Sequence, residues 1–223
     1  MRKILGHFQC WLFFYYFSLI TSQQNHAQAR YPQLEKMNYR ITKFDPKKRN
    51  EEGHFLDNSE WTAISDIGKS EYRNVDYEEY EKTETAYTES IKLILDEKNI
   101  SSLKIDSLEL RDSFDDFENY KKDGRLKNID VDFNNEIDIL ENGTTLNLTQ
   151  IQKMIRLILR ETVWMNLLES EFKITFGYDY YMYVECSELT NSTIKRIEKV
   201  GLFVEPNMGQ RTIIVTDENG NEI

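Results

Sequence analysis

FKITFGYDYYMYVEC, residues 172–186, is the stretch that organises the rest of the chain. Phe172, Ile174 and Phe176 alternate with polar neighbours, and Tyr180, Met182 and Val184 do the same beyond Gly177. Period-two alternation on both sides of a glycine predicts a β-hairpin with one inward face. Asp179, Tyr181, Tyr183 and Glu185 then point the other way. The inward rows need a cover, and the flanking sequence supplies helices.

After the hairpin, the spacing of Ile194, Ile197 and Val200 predicts a helix from Thr190 to Val200, with Gly201 as its stop. Leu202-Phe203-Val204 reads as a strand that Pro206 ends. Before it, Thr149-Gln150-Ile151-Gln152 reads as a capping box, and Ile151, Ile155, Ile158, Leu159, Thr162 and Val163 form an apolar stripe on one helix. Further back, Asp76 and Glu79 form a capping pair with Val75 poised to pack on Tyr80, and Tyr80, Tyr87, Ile91 and Ile94 line one face. That helix stops at Asn99, a residue that tolerates left-handed backbone.

Three further stretches alternate as strands do: Met37-Tyr39-Ile41, Leu103 to Leu110 with a slip of register near Asp106-Ser107, and Ile129 to Ile139. The order β-α-β-β-α-β-β-α-β, without internal repeat, predicts an α+β fold. The expected form is a mixed β-sheet with about three helices packed mainly on one face, a two-layer sandwich. The expected domain spans 30–206, with a polar loop at 46–74 and a charged insertion at 112–127. The tail at 207–223 has the letters of one edge strand at Ile213-Ile214-Val215.

The first residues, MRKILGHFQCWLFFYYFSLITSQQNHAQAR, place two positive charges before an apolar run from Trp11 to Ile20, followed by Ala27-Gln28-Ala29. This is the order of a signal peptide over 1–29, and it predicts a periplasmic or secreted protein with no membrane segment after cleavage. Cleavage would remove Arg2 and Lys3 and no acid, taking the net charge from −11 to −13. So negative a surface repels phosphate backbones and attracts basic partners, which argues against nucleic acid as a ligand. Cys186 is the one cysteine beyond the leader, so no disulfide within the mature chain is expected.

The catalytic readings are weak. His54 is the one histidine beyond the leader and sits in a polar loop, with nothing in the sequence to orient it as a base. Cys186 ends an apolar strand, the setting of a structural thiol. DVDFNNEIDILE, residues 130–141, places Asp130, Asp132, Asn134, Asp138 and Glu141 at positions of a calcium loop, but Asn135 stands where that loop needs glycine. Strict alternation explains the same letters, so no metal and no cofactor is expected. No feature selects a pair of carboxylates for glycoside hydrolysis.

The expected site is therefore a contact surface. Tyr181 and Tyr183, rimmed by Asp179 and Glu185 and lying near Trp61, suit anchors for a basic protein partner. The expected function is that of a non-enzymatic, acidic protein-binding module. The alternative is an envelope glycan or small-ligand binder, in which Trp61 and Tyr181 stack on a sugar.

YRITKFDP, EWTAISDIGK, YEEYEKTETAYTESIKLIL, IQKMIRLILRETVW, FGYDYYMYVEC and GLFVEP, in this order over residues 37–206, resemble an uncharacterised family of small bacterial α+β proteins. FGYDYYMY is the most distinctive part. The resemblance implies toxin-immunity or other interaction roles and an immunity-type inhibitor of a basic toxin as the concrete form. It implies no catalytic residue. Members mostly lack a leader such as 1–29, in which this chain departs from them.

Overall fold

A computed structural model describes residues 36–57, 59–69, 75–110 and 140–208, all within one compact unit, Glu35–Ile223. The leader at 1–29, the insertion at 112–127, the acid-rich alternation at 129–139 and the tail strand at 213–215 fall outside the described residues. The fold is α+β, with helices packed on a sheet. The strands are β1 Met37–Thr42, β2 Ser102–Leu110, β3 Thr145–Asn147, β4 Val163–Glu169, β5 Phe172–Phe176, β6 Met182–Cys186 and β7 Phe203–Pro206. The helices are α1 Tyr77–Lys98, α2 Leu148–Leu159 and α3 Asn191–Lys199. Among the described residues no helix is long and apolar enough to cross a membrane.

The seven strands lie in the order β3-β2-β4-β5-β6-β1-β7, and every neighbouring pair is antiparallel. The sheet is therefore not mixed, as the interleaved order had suggested. Each helical crossover does join two strands of the same direction, but never neighbours. β3-α2-β4 straddles β2, β6-α3-β7 straddles β1, and β1-α1-β2 spans β6, β5 and β4. With an odd number of strands between the ends of each crossover, all adjacent pairs alternate, as in split β-α-β folds.

The inward row runs through Tyr39, Ile41, Leu103, Ile105, Met165, Ile174, Met182 and Val184, all buried against the apolar faces of the helices. α1 packs against both α2 and α3, so the three share one side of the sheet. The apolar alternation of the strands and the 3.6-residue period of the helices meet in a single core.

Local signals account for most element ends. Asp76 caps α1 by accepting the Glu79 N–H at 2.8 Å, and Ser107, at φ +53°, lies within the β2 bulge. All three helices close with the same paired bonds. In each, a residue two or three beyond the helix donates to the carbonyl five before it, and the left-handed residue before it donates three back. Those left-handed residues are Asn99 (φ +55°), Glu161 (φ +59°) and Gly201 (φ +102°).

The second of these overturns part of the sequence reading. Thr162 N–H reaches the Leu157 carbonyl at 3.0 Å and Glu161 N–H the Ile158 carbonyl at 2.9 Å. This ends α2 at Leu159, and Val163 begins β4 instead of prolonging the helix. The start shifts too. The capping box is Asn147 with Gln150, each side chain accepting the other's backbone N–H at 3.0 Å, two residues before the Thr149 box. Asn147 also closes the short β3, so strand and helix share one residue's capping chemistry.

The junction of α1 and α3 carries a titratable clamp. Glu97 accepts the Thr190 hydroxyl at 2.7 Å and the Thr190 N–H at 3.2 Å, and pairs with Lys98 at 2.8 Å. Thr190 in turn caps α3. Burial alone would raise the Glu97 pKa, but the hydrogen bonds from Lys98, Thr193 and Thr190 outweigh it and hold it at about 2. A carboxylate depressed in the folded state stabilises above its ordinary pKa and loses that contribution as pH falls toward the folded value. Glu97→Gln should therefore cost on the order of 1 kcal/mol at pH 7, allowing for solvent screening. The difference from the parent should shrink between pH 4.5 and 2, the window set by those two values. Urea unfolding at pH 7 and pH 3 checks this, and a gap that is constant with pH contradicts it.

Candidate functional site

The β5–β6 hairpin turns at Tyr178-Asp179-Tyr180-Tyr181, closed by Tyr181 N–H on the Tyr178 carbonyl at 3.2 Å. Both central residues, Asp179 and Tyr180, have positive φ, +58° and +59°. Such a tip favours Asn-Gly because the left-handed region penalises side chains by roughly 1–2 kcal/mol per residue. Here it holds an acid and a tyrosine. Packing overrides the penalty. Tyr180 is buried beside Trp61, with ring centroids 5.1 Å apart, its hydroxyl donates to the Leu159 carbonyl at 3.2 Å, and its own carbonyl accepts the Tyr87 hydroxyl. Just before the turn, Gly177 is fixed by close approach, since a Cβ there would lie 3.0 Å from the Tyr183 ring.

Beside this tip lies a cleft of about 140 Å³. Its walls are the end of α2 (Ile158, Leu159, Glu161), Trp164 of β4, Phe176 to Tyr180 of the hairpin, and Thr62 and Ala63. Three non-glycine residues in left-handed backbone, Glu161, Asp179 and Tyr180, thus line one cavity. Such backbone persists only where surrounding structure over-determines it, and it concentrates at functional sites. At the mouth Tyr178 is 67% exposed and leans on Trp164, with ring centroids 5.9 Å apart and planes 35° apart. Among the described residues Tyr178 and Leu56 are the large apolar side chains that present most of their surface to solvent.

Among the described residues, the charged side chains that line the cleft are acidic. Asp179 and Glu161 supply carboxylates. Asp179 is exposed at the tip, and its pKa is raised, first by partial loss of hydration and then by the carboxylate of Asp66, with Lys43 opposing. Asp66 is itself buried and accepts the Thr62 and Ala63 N–H groups at 2.9 and 3.0 Å. The Lys43 ammonium is engaged by Glu60 at 2.8 Å and lies 3.8 Å from the centre of the Trp61 ring. Aromatic faces next to carboxylates make a site for a cation.

The five residues singled out in the sequence fall into three places. Asp179 is at the hairpin tip. Trp61 is 1% exposed, in the core between Tyr80 and Tyr180, so it offers no face for a sugar and shares no surface with Tyr181. The run EWTAISDIG tucks under the hairpin because Trp61 has an aromatic pocket there, which the polar letters around it conceal. Tyr181, Tyr183 and Glu185 alternate onto the side of the sheet away from the helices.

On that side Tyr181 is covered. Residues 48–56 fold back as a small flap in which Arg49 bridges Phe55. Arg49 donates to the Tyr181 hydroxyl at 3.0 Å, Arg40 lies 5.0 Å from the ring centre, and Phe44 packs at 5.6 Å. Arg40 is held by Glu205 through two bonds of 2.7 and 2.9 Å. Tyr183 stands opposite Arg40 and Thr175, and Glu185 pairs with Lys36 at 3.0 Å. Balanced ion pairs and a lid of flap residues leave little of an open tyrosine face.

Sequence reading missed Tyr178, Trp164 and Glu161. The available signal was the alternation of VWMNLLE, which sets Trp164 on the polar side of a strand, and a turn one residue later than Gly177 suggests. Of the other candidates, His54 is exposed on the flap. Cys186 is buried, and burial pushes its thiol up to about 11, which keeps it protonated and unreactive. Among the described residues no three His, Cys, Asp or Glu side chains gather as metal ligands, and the acid-rich run 130–139 lies outside them. Comparison with known proteins finds no matching family model, no similar curated protein and no similar solved structure.

Proposed function

We propose that this is an acidic, non-enzymatic binding protein whose contact surface for a basic protein is the β5–β6 hairpin tip, outside the cytoplasm as the 1–29 segment suggests. One observation carries the reading. Tyr178 is 67% exposed, braced by Trp164, and flanked by Asp179 at a turn that packing holds rigid. An amphipathic ring with little conformational freedom to lose is the usual anchor of an interface, and preorganisation lowers the cost of binding. The net charge of −11 supplies steering toward a cationic partner. Inhibition of a basic toxin is the form that the family resemblance adds. The expected anchor thereby moves from Tyr181, which the flap covers, to Tyr178. Both belong to the same tyrosine-rich hairpin.

Tyr178→Ala should cost about 2 kcal/mol or more of partner binding, as at other hot spots, with the urea midpoint unchanged because the ring is mostly exposed. The test compares the parent and Tyr178→Ala as affinity baits against extract of the native host, eluting with rising salt. The expected result is a basic protein held by the parent, released by salt and not held by the variant. A partner held equally by both would place the interface elsewhere.

A further inference from the structure

We infer that the cleft beneath Tyr178 receives a single arginine side chain of the partner. This rests on the reading of the hairpin tip as the contact surface and names what enters it. Size sets the first limit. About 140 Å³ is close to the roughly 150 Å³ cavity that holds one benzene, which is room for one flat group. Shape and charge set the second. The walls combine the rings of Trp164, Tyr178 and Phe176 with the carboxylates of Asp179 and Glu161, and among the described residues no basic side chain lines them. Lys43, a cation that acts on Asp179, is already engaged by Glu60.

Guanidinium fits this lining better than ammonium does. It is planar, stacks on aromatic faces, sheds water more readily and offers a fork of donors to carboxylates. Its three methylenes can pack on the apolar side chains that share the lining with those rings, among them Ile158 and Leu159. An ammonium would present a compact, strongly hydrated charge to the same rings. The nearby carboxylate of Asp66 adds to the attraction, because an arriving cation offsets the repulsion that Asp179 bears.

The probe is N-acetyl-arginine methylamide, with the lysine and citrulline analogues beside it, titrated into the full chain and followed by the indole N–H resonance of Trp164, assigned with Trp164→Phe. The expected result is a saturable shift with a dissociation constant of about a millimolar, as suits a small guest. The lysine analogue should bind at least about fivefold more weakly and citrulline not at all, because the first lacks the fork and the second the charge. Asp179→Asn, which retains tolerance for left-handed backbone, should weaken the arginine analogue about tenfold without altering distant amide resonances. Equal response to lysine and arginine, or no saturable shift, would overturn the inference. If the arginine analogue fails while Tyr178→Ala still loses the partner, the guest is wrong and the surface stands. If both fail, so does the surface.

Discussion

Glu84→Leu should be among the most destabilising single changes in the described fold, by about 3–5 kcal/mol, the usual cost of breaking a buried ion pair from one side. Glu84 and Arg160 are both 0% exposed. The Arg160 guanidinium grips the carboxylate with two bonds, of 2.5 and 2.8 Å, and Arg156 reaches it from the same helix one turn earlier. Burial alone would lower the Arg160 pKa, but hydrogen bonding and attraction to Glu84 more than reverse this, so the group stays charged. The two partners are not equivalent. Without Arg160, Glu84 still has Arg156 and the Tyr80 hydroxyl; without Glu84, Arg156 and Arg160 both lose the carboxylate that they share. Arg160→Met should therefore cost less than Glu84→Leu, and the double variant should recover much of the larger loss, since apolar replacement of a buried pair is often neutral. Urea unfolding of the four proteins gives the cycle. Additive losses in the double variant would show that the two side chains do not act as a pair.

That pair was open to discovery in the letters, although periodicity alone hides it. Glu84 lies four residues after Tyr80 and three before Tyr87, squarely on the apolar face of α1, where a carboxylate calls for a buried cation. Counting apolar residues registers Glu84 only as a gap. α1 and α3 were legible to their ends because Asp76, Asn99, Thr190 and Gly201 are residue types whose backbone preferences announce caps. α2 was read too long because Glu161 occupies the left-handed position where glycine or asparagine is usual, and Thr162 and Val163 continue the helical stripe. The inward rows of β1, β5 and β6 followed from alternation. Beyond the β5–β6 hairpin, which strands become neighbours did not, since that pairing depends on crossovers that no local window contains. For the same reason Tyr181 looked like an open anchor. The flap over it is set by Arg49, which is 132 residues away in sequence.

Tyr180→Ala should cost about 3–5 kcal/mol of folding stability, the range for a fully packed aromatic truncated in a core. The ring touches Trp61, Tyr80 and Tyr87, so its loss opens a void between α1, the hairpin and the segment that carries Trp61. Tyr180→Phe, which keeps the ring and removes the donor to Leu159, should cost only about 1 kcal/mol. A third variant separates packing from backbone. At φ +59°, Tyr180→Gly relieves the left-handed penalty that alanine retains, and should be more stable than Tyr180→Ala by about 1 kcal/mol. Elsewhere in a strand the order is the reverse. Tyr181→Ala serves as the outer-face comparison. It loses the Arg49 hydrogen bond and the stacking of Arg40 and Phe44, and should fall between the exposed Tyr178 and the buried Tyr180, at about 1–2 kcal/mol. Denaturant midpoints at constant slope measure these four variants against the parent. A small loss in Tyr180→Ala would mean that the tip is not anchored in the core. Alanine outranking glycine there would mean that the turn does not hold its left-handed form, and the rigid presentation of Tyr178 and Asp179 would lose its physical basis.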